Sequence, residues 1–313
     1  MPKESRLLLT GATGFLGSHL ARTLLEAGYD LVLLKRSFSD TRRIADLLSN
    51  CNVYDVGRTP LEKVFRDGKI DIIIHTATCY GRKGQSLSEI VDSNVVFPLR
   101  LLETATGAGV QIFFNTDTFF NRQDIPCDSL PGYVATKRQF VDLARVSPLR
   151  PTRFVNVQLE HLYGPDDDDS KFVPQILHRL IANSGALDLT AGEQERDFIY
   201  IDDAVSAFLL LLEIAGKGPT PFQHYDLGSG TATSVRTFVQ LARRLSGSTS
   251  QLNFGALPYR PHEIMNSVAD IQPLVAAGWR PRFSVEDGLR QTISWSARAS
   301  AKFSTDLRAT VKS

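Results

Sequence analysis

Tyr133 and Lys137 stand four apart in Tyr-Val-Ala-Thr-Lys, where the apolar spacing predicts a helix over Tyr133–Arg145. Residues at i and i+4 share one helix face, so phenol and ammonium point the same way. An ammonium beside a phenol favours the phenolate and lowers its pKa from about 10 toward working pH. Such a phenol can act as a general acid toward the alkoxide that forms as a carbonyl is reduced. Alone, the pattern also describes an exposed helix face. The residues before it add weight: Ile112–Phe114 reads as a buried strand and ends in polar Asn115–Thr116–Asp117–Thr118. A parallel strand delivers its C-terminal end to the ligand crevice of an α/β sheet, where the Thr116 hydroxyl can reach the same substrate oxygen as Tyr133.

The elements that must position this chemistry begin at the N-terminal end. Leu7–Gly17 reads LLLTGATGFLG: an apolar strand, a turn carrying Gly11, Gly14 and Gly17, then an amphipathic helix from about Phe15 to Glu26. Strand, glycine turn and helix hold a dinucleotide pyrophosphate, because the helix N-terminus offers unpaired N–H groups and the positive end of its dipole. Lys137 is then placed to hydrogen-bond a nicotinamide ribose as well. A dinucleotide site selective for NAD usually has Asp or Glu at the end of the second strand. Here that strand ends Leu33–Leu34–Lys35–Arg36–Ser37, with Arg42 and Arg43 following. Cations suit a 2′-phosphate, so NADPH is the expected cofactor, with Arg36 its main contact. A solvated basic loop is the alternative.

The whole chain sets the frame. Its 313 residues are 42% hydrophobic and 22% charged, with formal net charge +1, which gives no electrostatic reason to expect nucleic acid or a membrane surface as partner. No apolar run approaches the ~18 residues of a membrane span, and MPKESRLLLTG lacks a signal-peptide core. Cys51, Cys79 and Cys127 are widely spaced, which points to a reducing cytoplasm, no metal site and no disulfide framework. Strand patterns at Arg6–Thr10, Leu31–Leu34, Asn52–Tyr54, Asp71–Ile74, Gln111–Phe114 and Arg153–Leu159 alternate with helical ones, clearest at Ser88–Ala108 and Tyr133–Arg145. That alternation predicts an α/β fold, a doubly wound parallel Rossmann sheet covered on both faces. The expected division is a cofactor domain over 1–165, with a return segment near 201–230, and a smaller C-terminal α/β substrate domain over 166–313.

With these motifs on the page, the chain resembles the extended short-chain dehydrogenases/reductases of the NAD-dependent epimerase/dehydratase branch, which act on nucleotide sugars. Beyond the glycine turn and Tyr133/Lys137, the likeness covers DIIIHTAT at Asp71–Thr78 and a helix opening at Asn94. It continues through HLYGP at His161–Pro165, GEQERDFIYIDD at Gly192–Asp203 and YDLGSG at Tyr225–Gly230. FFNTDTFF, GYVATKRQF and FGALPYRPHEIMNSVAD narrow it to the ketoreductases that form CDP-abequose or CDP-paratose, reducing the 4-keto group of a CDP-3,6-dideoxyhexos-4-ulose with NADPH in O-antigen sugar synthesis. The resemblance implies that Thr116 shares the substrate oxygen with Tyr133, that Arg196 and Arg260 grip the nucleotide diphosphate, and that residues about Lys171–Pro174 line the nucleotide pocket. It implies cofactor contacts at Thr13, Phe15, Leu16, Ala77 and Asn94, and substrate contacts at Asp117, Thr118, His161, Lys171, Phe172 and Glu263. A homodimer is a family expectation.

Departures from the family pattern choose among reactions. Sugar dehydratases of the branch carry Thr-Asp-Glu where this chain has Thr116–Asp117–Thr118, so elimination lacks one carboxyl. A nucleotide-sugar 4-epimerase is the alternative activity. His161 stands where relatives carry Asn; it faces the sugar or the nicotinamide, or is structural. His75, at a strand end, reads as part of the cofactor floor. Asp166–Asp169 reads as a solvated linker, Asp202–Asp203 as a helix cap at about Ala204, and Trp279 with Pro281 as closing the core of the small domain.

Overall fold

The computed structural model describes residues 5–122, 130–217 and 220–310, with side chains in the last helix described as far as 298; Cys127 lies outside the described residues. The chain forms two compact units: Met1–Glu160 with Ala204–Leu227 and Asp270–Arg280, and His161–Asp203 with Gly228–Ala269 and Pro281–Ser313. In chain order the elements up to residue 160 are β1 (Arg6–Thr10), α1 (Phe15–Glu26), β2 (Asp30–Lys35), β3 (Asn52–Asp55), α2 (Leu61–Arg66), β4 (Ile72–His75), α3 (Leu87–Val91), α4 (Phe97–Gly107), β5 (Ile112–Thr118), α5 (Pro131–Val146) and β6 (Arg153–Leu159). Beyond them come β7 (His161–Tyr163), α6 (Phe172–Ile181), β8 (Leu187–Leu189), β9 (Glu195–Tyr200), α7 (Ile201–Ile214), β10 (Phe222–Leu227), β11 (Ala232–Ser234), α8 (Val235–Ser246), β12 (Leu252–Phe254), β13 (Asn266–Ser267), α9 (Gln272–Ala276) and α10 (Val285–Thr310).

The first unit is built on a seven-stranded parallel sheet in the order β10-β6-β5-β4-β1-β2-β3. This is a Rossmann sheet extended by one strand, and its order reverses between β1 and β4, the switch point at which such sheets bind ligands. Leu7–Leu9 and Ile72–Ile74 are wholly buried, as strands covered on both faces require. One face packs through Phe113, Phe140 and Phe154 in a cluster with Leu8, Val32 and Ile73. Phe113 and Phe154 stack at 5.6 Å. Phe114 turns to the opposite side and meets Phe208 of α7 edge-on. The helix expected over Ser88–Ala108 is α3 and α4 joined by a π-helical turn at Asp92–Val96, so no helix opens at Asn94.

The second unit centres on β9, which pairs in parallel with β7 and β13 and antiparallel with β11. Phe198 and Phe238 stack at 4.0 Å in its core. The fully buried Asp197 carboxylate accepts from Ser229 N, Gly230 N and Ala269 N, tying β9 to two loops. Three expectations need correction. Trp279 belongs to the first unit, where its indole donates to Ser206 Oγ at 2.9 Å. The helix starts at Ile201, so Asp202 and Asp203 lie in the first turn of α7, where they complement its dipole, rather than ahead of it as caps; Asp203 also accepts from Arg282 N and Phe283 N at 2.9 Å each. The Asp166–Asp169 run is not simply solvated, since Asp167 is buried and ion-paired with Lys171 at 2.7 Å.

Candidate active site

The glycine turn is a cradle that side chains could not share. Gly11 adopts φ +73, and a Cβ there would lie 2.5 Å from Ala77 N; a Cβ on Gly17 would lie 2.1 Å from Gly11 O. The turn and the first turn of α1 therefore close on each other, and Thr76 and Ala77, just after β4, close on Gly11. Gly14 is the N-cap of α1 and brings no side-chain cap, and the first turn carries no acidic residue. Phe15 and Leu16 bury their side chains, so at those positions α1 presents main-chain N–H groups. This donor set fits a pyrophosphate. At the end of β2, Arg36 is exposed, with its guanidinium 4.7 Å from the centre of the Phe38 ring. The nearby carboxylate of Asp55, on β3, accepts from Ser37 Oγ and from Gly57 N.

Tyr133 and Lys137 lie in the first two turns of α5, and their side chains are buried against the sheet with Val134, Phe140 and Val141. The Thr118 side chain lies near enough to the phenol to favour its ionised form. The Thr116 hydroxyl donates to His75 O at 3.1 Å, and both threonines lie at the buried C-terminal end of β5. Lys137 donates its Nζ to the main-chain carbonyl of Thr116. Burial pushes the Tyr133 phenol well above the usual tyrosine range; the neighbouring Tyr80 and Asp117 add to this, while Thr118 and Arg82 oppose it. Lys137 donates one of its three N–H groups to the Thr116 carbonyl, and desolvation of the phenolate is the largest influence on Tyr133.

Asp117 is fully engaged. Its carboxylate accepts from Thr118 N at 2.8 Å, Asn121 Nδ2 at 2.7 Å and Asn156 Nδ2 at 2.9 Å. Beyond it Arg122 is ion-paired with the buried Glu160 and with Asp226, and Asp226 also contacts His224 Nε2 at 3.0 Å. A polar cavity of about 400 Å³ is lined here by Asp117, Asn121, Asn156, Gln158, His224 and Asp226 among others. The sequence reading missed Arg122, Glu160 and Asp226. The one available signal was a glutamate directly after the apolar strand Arg153–Leu159.

Two expected cofactor contacts serve as supports. His75 is 1% exposed, hydrogen-bonded through Nδ1 to Thr10 Oγ1 at 2.8 Å and flanked by Phe97, Phe113 and Phe140. Burial takes its pKa down to about 3, so it is a neutral link between β1 and β4. Asn94 accepts from Cys79 N and donates to Cys79 O and Thr136 Oγ1, which ties the loop after β4 to α5. Both side chains are buried and hydrogen-bonded within the fold. In the second unit Arg196 is ion-paired with Glu263 and donates to Glu195 O, and Arg260 is exposed. His161 packs edge-on against Phe198, Lys171 is ion-paired with Asp167, and Phe172 is 41% exposed.

The chain is similar to known proteins. Residues 7–228 match the NAD dependent epimerase/dehydratase family. CDP-abequose synthase of Salmonella typhimurium is 36% identical over 293 residues, covering 92% of this chain and 97% of that protein. CDP-abequose synthase of Salmonella muenchen is 35% identical over 296 residues, covering 93% and 98%. Among solved structures, the UDP-glucose 4-epimerase of Thermotoga maritima with UDP-glucose superposes with TM-score 0.79 at 22% identity, covering 94% of this chain and 99% of that one. The UDP-glucuronic acid 4-epimerase of Bacillus cereus, in complex with UDP-glucuronic acid and NAD, gives 0.79 at 23% identity with the same coverage. These two share the fold. The glycine cradle, the Tyr-x-x-x-Lys helix and an end-to-end kinship above one residue in three are carried by a single sheet topology, and the chain belongs to the NAD dependent epimerase/dehydratase family.

Proposed function

We propose that this protein is an NADPH-dependent 4-ketoreductase of a CDP-activated deoxyhexose, reducing a CDP-3,6-dideoxyhexos-4-ulose to CDP-abequose, CDP-paratose or a close analogue for O-antigen assembly. The observation that carries the reading is kinship over nearly the whole chain to the two Salmonella synthases, in a chain whose Tyr133 and Lys137 are buried in α5, with Lys137 bonded to the C-terminal end of β5. The sugar keto oxygen accepts from the Tyr133 hydroxyl, with a threonine hydroxyl of the β5 end beside it. When bound, the reduced nicotinamide supplies a hydride to the keto carbon. Tyr133 then releases its proton to the new alkoxide, and Thr118 and Arg82 favour the phenolate left behind. Lys137 fixes the β5 end through the Thr116 carbonyl. Asp117 accepts from three donors and has Thr118 rather than a second carboxyl after it, which disfavours loss of water.

The main-chain N–H groups of α1 hold the pyrophosphate, and Lys35 and Arg36 take the 2′-phosphate, since cations rather than a carboxylate end β2. Arg196 and Arg260 take the nucleotide diphosphate. A homodimer in the cytoplasm completes the proposal; no helix among the described residues is long and apolar enough to cross a membrane. The test is absorbance at 340 nm with the CDP-4-keto sugar. Stoichiometric loss of NADPH supports a reductase; interconversion of sugars with no net loss identifies a 4-epimerase. Arg36→Asp should weaken NADPH binding while sparing NADH, and equal weakening of both would remove the cofactor assignment.

A further inference from the structure

Tyr80, in the loop after β4, lies against the acid. Its ring centre is 4.7 Å from that of Tyr133, with the planes 34° apart. The Arg82 guanidinium sits 5.0 Å from the centre of the Tyr80 ring. The pairing is built in from both sides by Ile90 of α3. A Cβ on Gly81, which has φ +74, would lie 2.7 Å from Ile90 Cδ1, and one on Gly132 would lie 3.3 Å from the same atom. Gly81 follows Tyr80 and Gly132 precedes Tyr133, so one buried side chain sets the spacing of both backbones. Tyr80 itself is half-buried, while Tyr133 is buried.

We propose that Tyr80, steadied by Arg82, walls the sugar subsite beside C3 and selects a substrate that is deoxygenated there. This rests on the reading of Tyr133 as the acid for a 4-keto sugar. The oxygen that Tyr133 protonates is borne by C4, and the carbons on either side of C4 are one bond away. An aromatic ring packed on the acid, with part of its surface open, is placed to border one of those carbons. C5 carries the same methyl group in every 6-deoxy sugar, whereas C3 is the position whose oxygenation varies. A methylene packs against a ring face, whereas a hydroxyl there gives up its water without gaining a good acceptor. An apolar wall discriminates against an added hydroxyl by up to about 100-fold.

The experiment compares kcat/KM for a CDP-4-keto-3,6-dideoxyhexose and for CDP-4-keto-6-deoxyglucose, which keeps the C3 hydroxyl. It uses the wild type, Tyr80→Phe and Tyr80→Ser, with Tyr80→Gln as a second polar variant of larger volume should the serine protein fold poorly. The wild type should prefer the 3-deoxy sugar by about 10- to 100-fold, Tyr80→Phe should keep that preference, and the polar variants should reduce it to a few-fold. If both substrates fall together in the polar variants, Tyr80 merely braces Tyr133 and the proposal is overturned, as it is if the wild type shows no preference. If the wild type consumes NADPH with neither sugar, the ketoreductase reading itself fails, an outcome distinct from loss of selectivity.

Discussion

The Lys137 ammonium donates to the main-chain carbonyl of Thr116, so a buried charge ties the second turn of α5 to the end of β5. Burial pulls Lys137 from its ordinary 10.5 down to about 8, with Asp117 opposing the shift. Deprotonation keeps two N–H donors but removes the charge that strengthens the bond. Turnover should therefore fall as pH rises through about 8, on a limb of one proton. Lys137→Met should lose that limb along with most activity. A kcat profile from about pH 6 to about pH 10 checks it; an unchanged limb in the variant would assign the titration elsewhere.

Tyr133→Phe removes the proton donor and leaves the glycine cradle intact. Turnover should drop by roughly 10²- to 10⁴-fold, the usual contribution of a positioned acid, while NADPH binding by fluorescence titration stays within about two-fold. The Phe ring still packs against Tyr80, so the melting temperature should hold. A variant with wild-type turnover would move the acid to another residue.

The two threonines of the β5 end should separate. Thr118→Val takes away a hydroxyl that favours the phenolate and should lower kcat by about 10-fold or more. Thr116→Val loses only the bond from its hydroxyl to the His75 carbonyl; its own carbonyl still receives Lys137. It should lower stability by about 1 kcal/mol, with a smaller effect on kcat. Steady-state kinetics beside denaturant melts would distinguish the pair, and a larger kcat loss at Thr116 would restore the sequence-based assignment.

These threonines also show where sequence reading stops. Residues 116 and 118 alternate onto the same side of a strand, so spacing admits either as partner of Tyr133. Only the placement of α5 over the sheet chooses. The glycine turn was legible because part of its constraint is local: a Cβ on Gly17 would meet the Gly11 carbonyl, whereas the approach of Thr76 and Ala77 to Gly11 is a long-range contact that the turn's sequence does not record. The Tyr133/Lys137 helix was legible by its period. The protonation of Tyr133 was not, because desolvation depends on what covers the phenol, and that includes Tyr80 from a loop more than 50 residues earlier in the chain. Trp279 was misassigned for a related reason: α9 and the residues after it return to the first unit, a tertiary choice that no apolar pattern records.

His75 gives the fold an acid sensitivity of definite sign. Its ordinary pKa of 6.5 is taken to about 3 by burial, with the Lys137 charge adding to the shift. Between those values the unfolded chain binds a proton that the folded protein refuses. The contribution of His75 is therefore complete above pH 6.5 and is lost as pH falls toward 3, at about 1.4 kcal/mol per pH unit. At about pH 5.5 the loss should be about 1.4 kcal/mol relative to about pH 7.5. His75→Asn keeps a polar partner for Thr10 but cannot titrate, so its stability should change less between those two pH values. Urea melts of both proteins at each pH provide the measurement. An equal pH dependence in the variant would mean that the ring takes up its proton without unfolding the site, and that the aromatic cage of Phe97, Phe113 and Phe140 opens more readily than its burial implies.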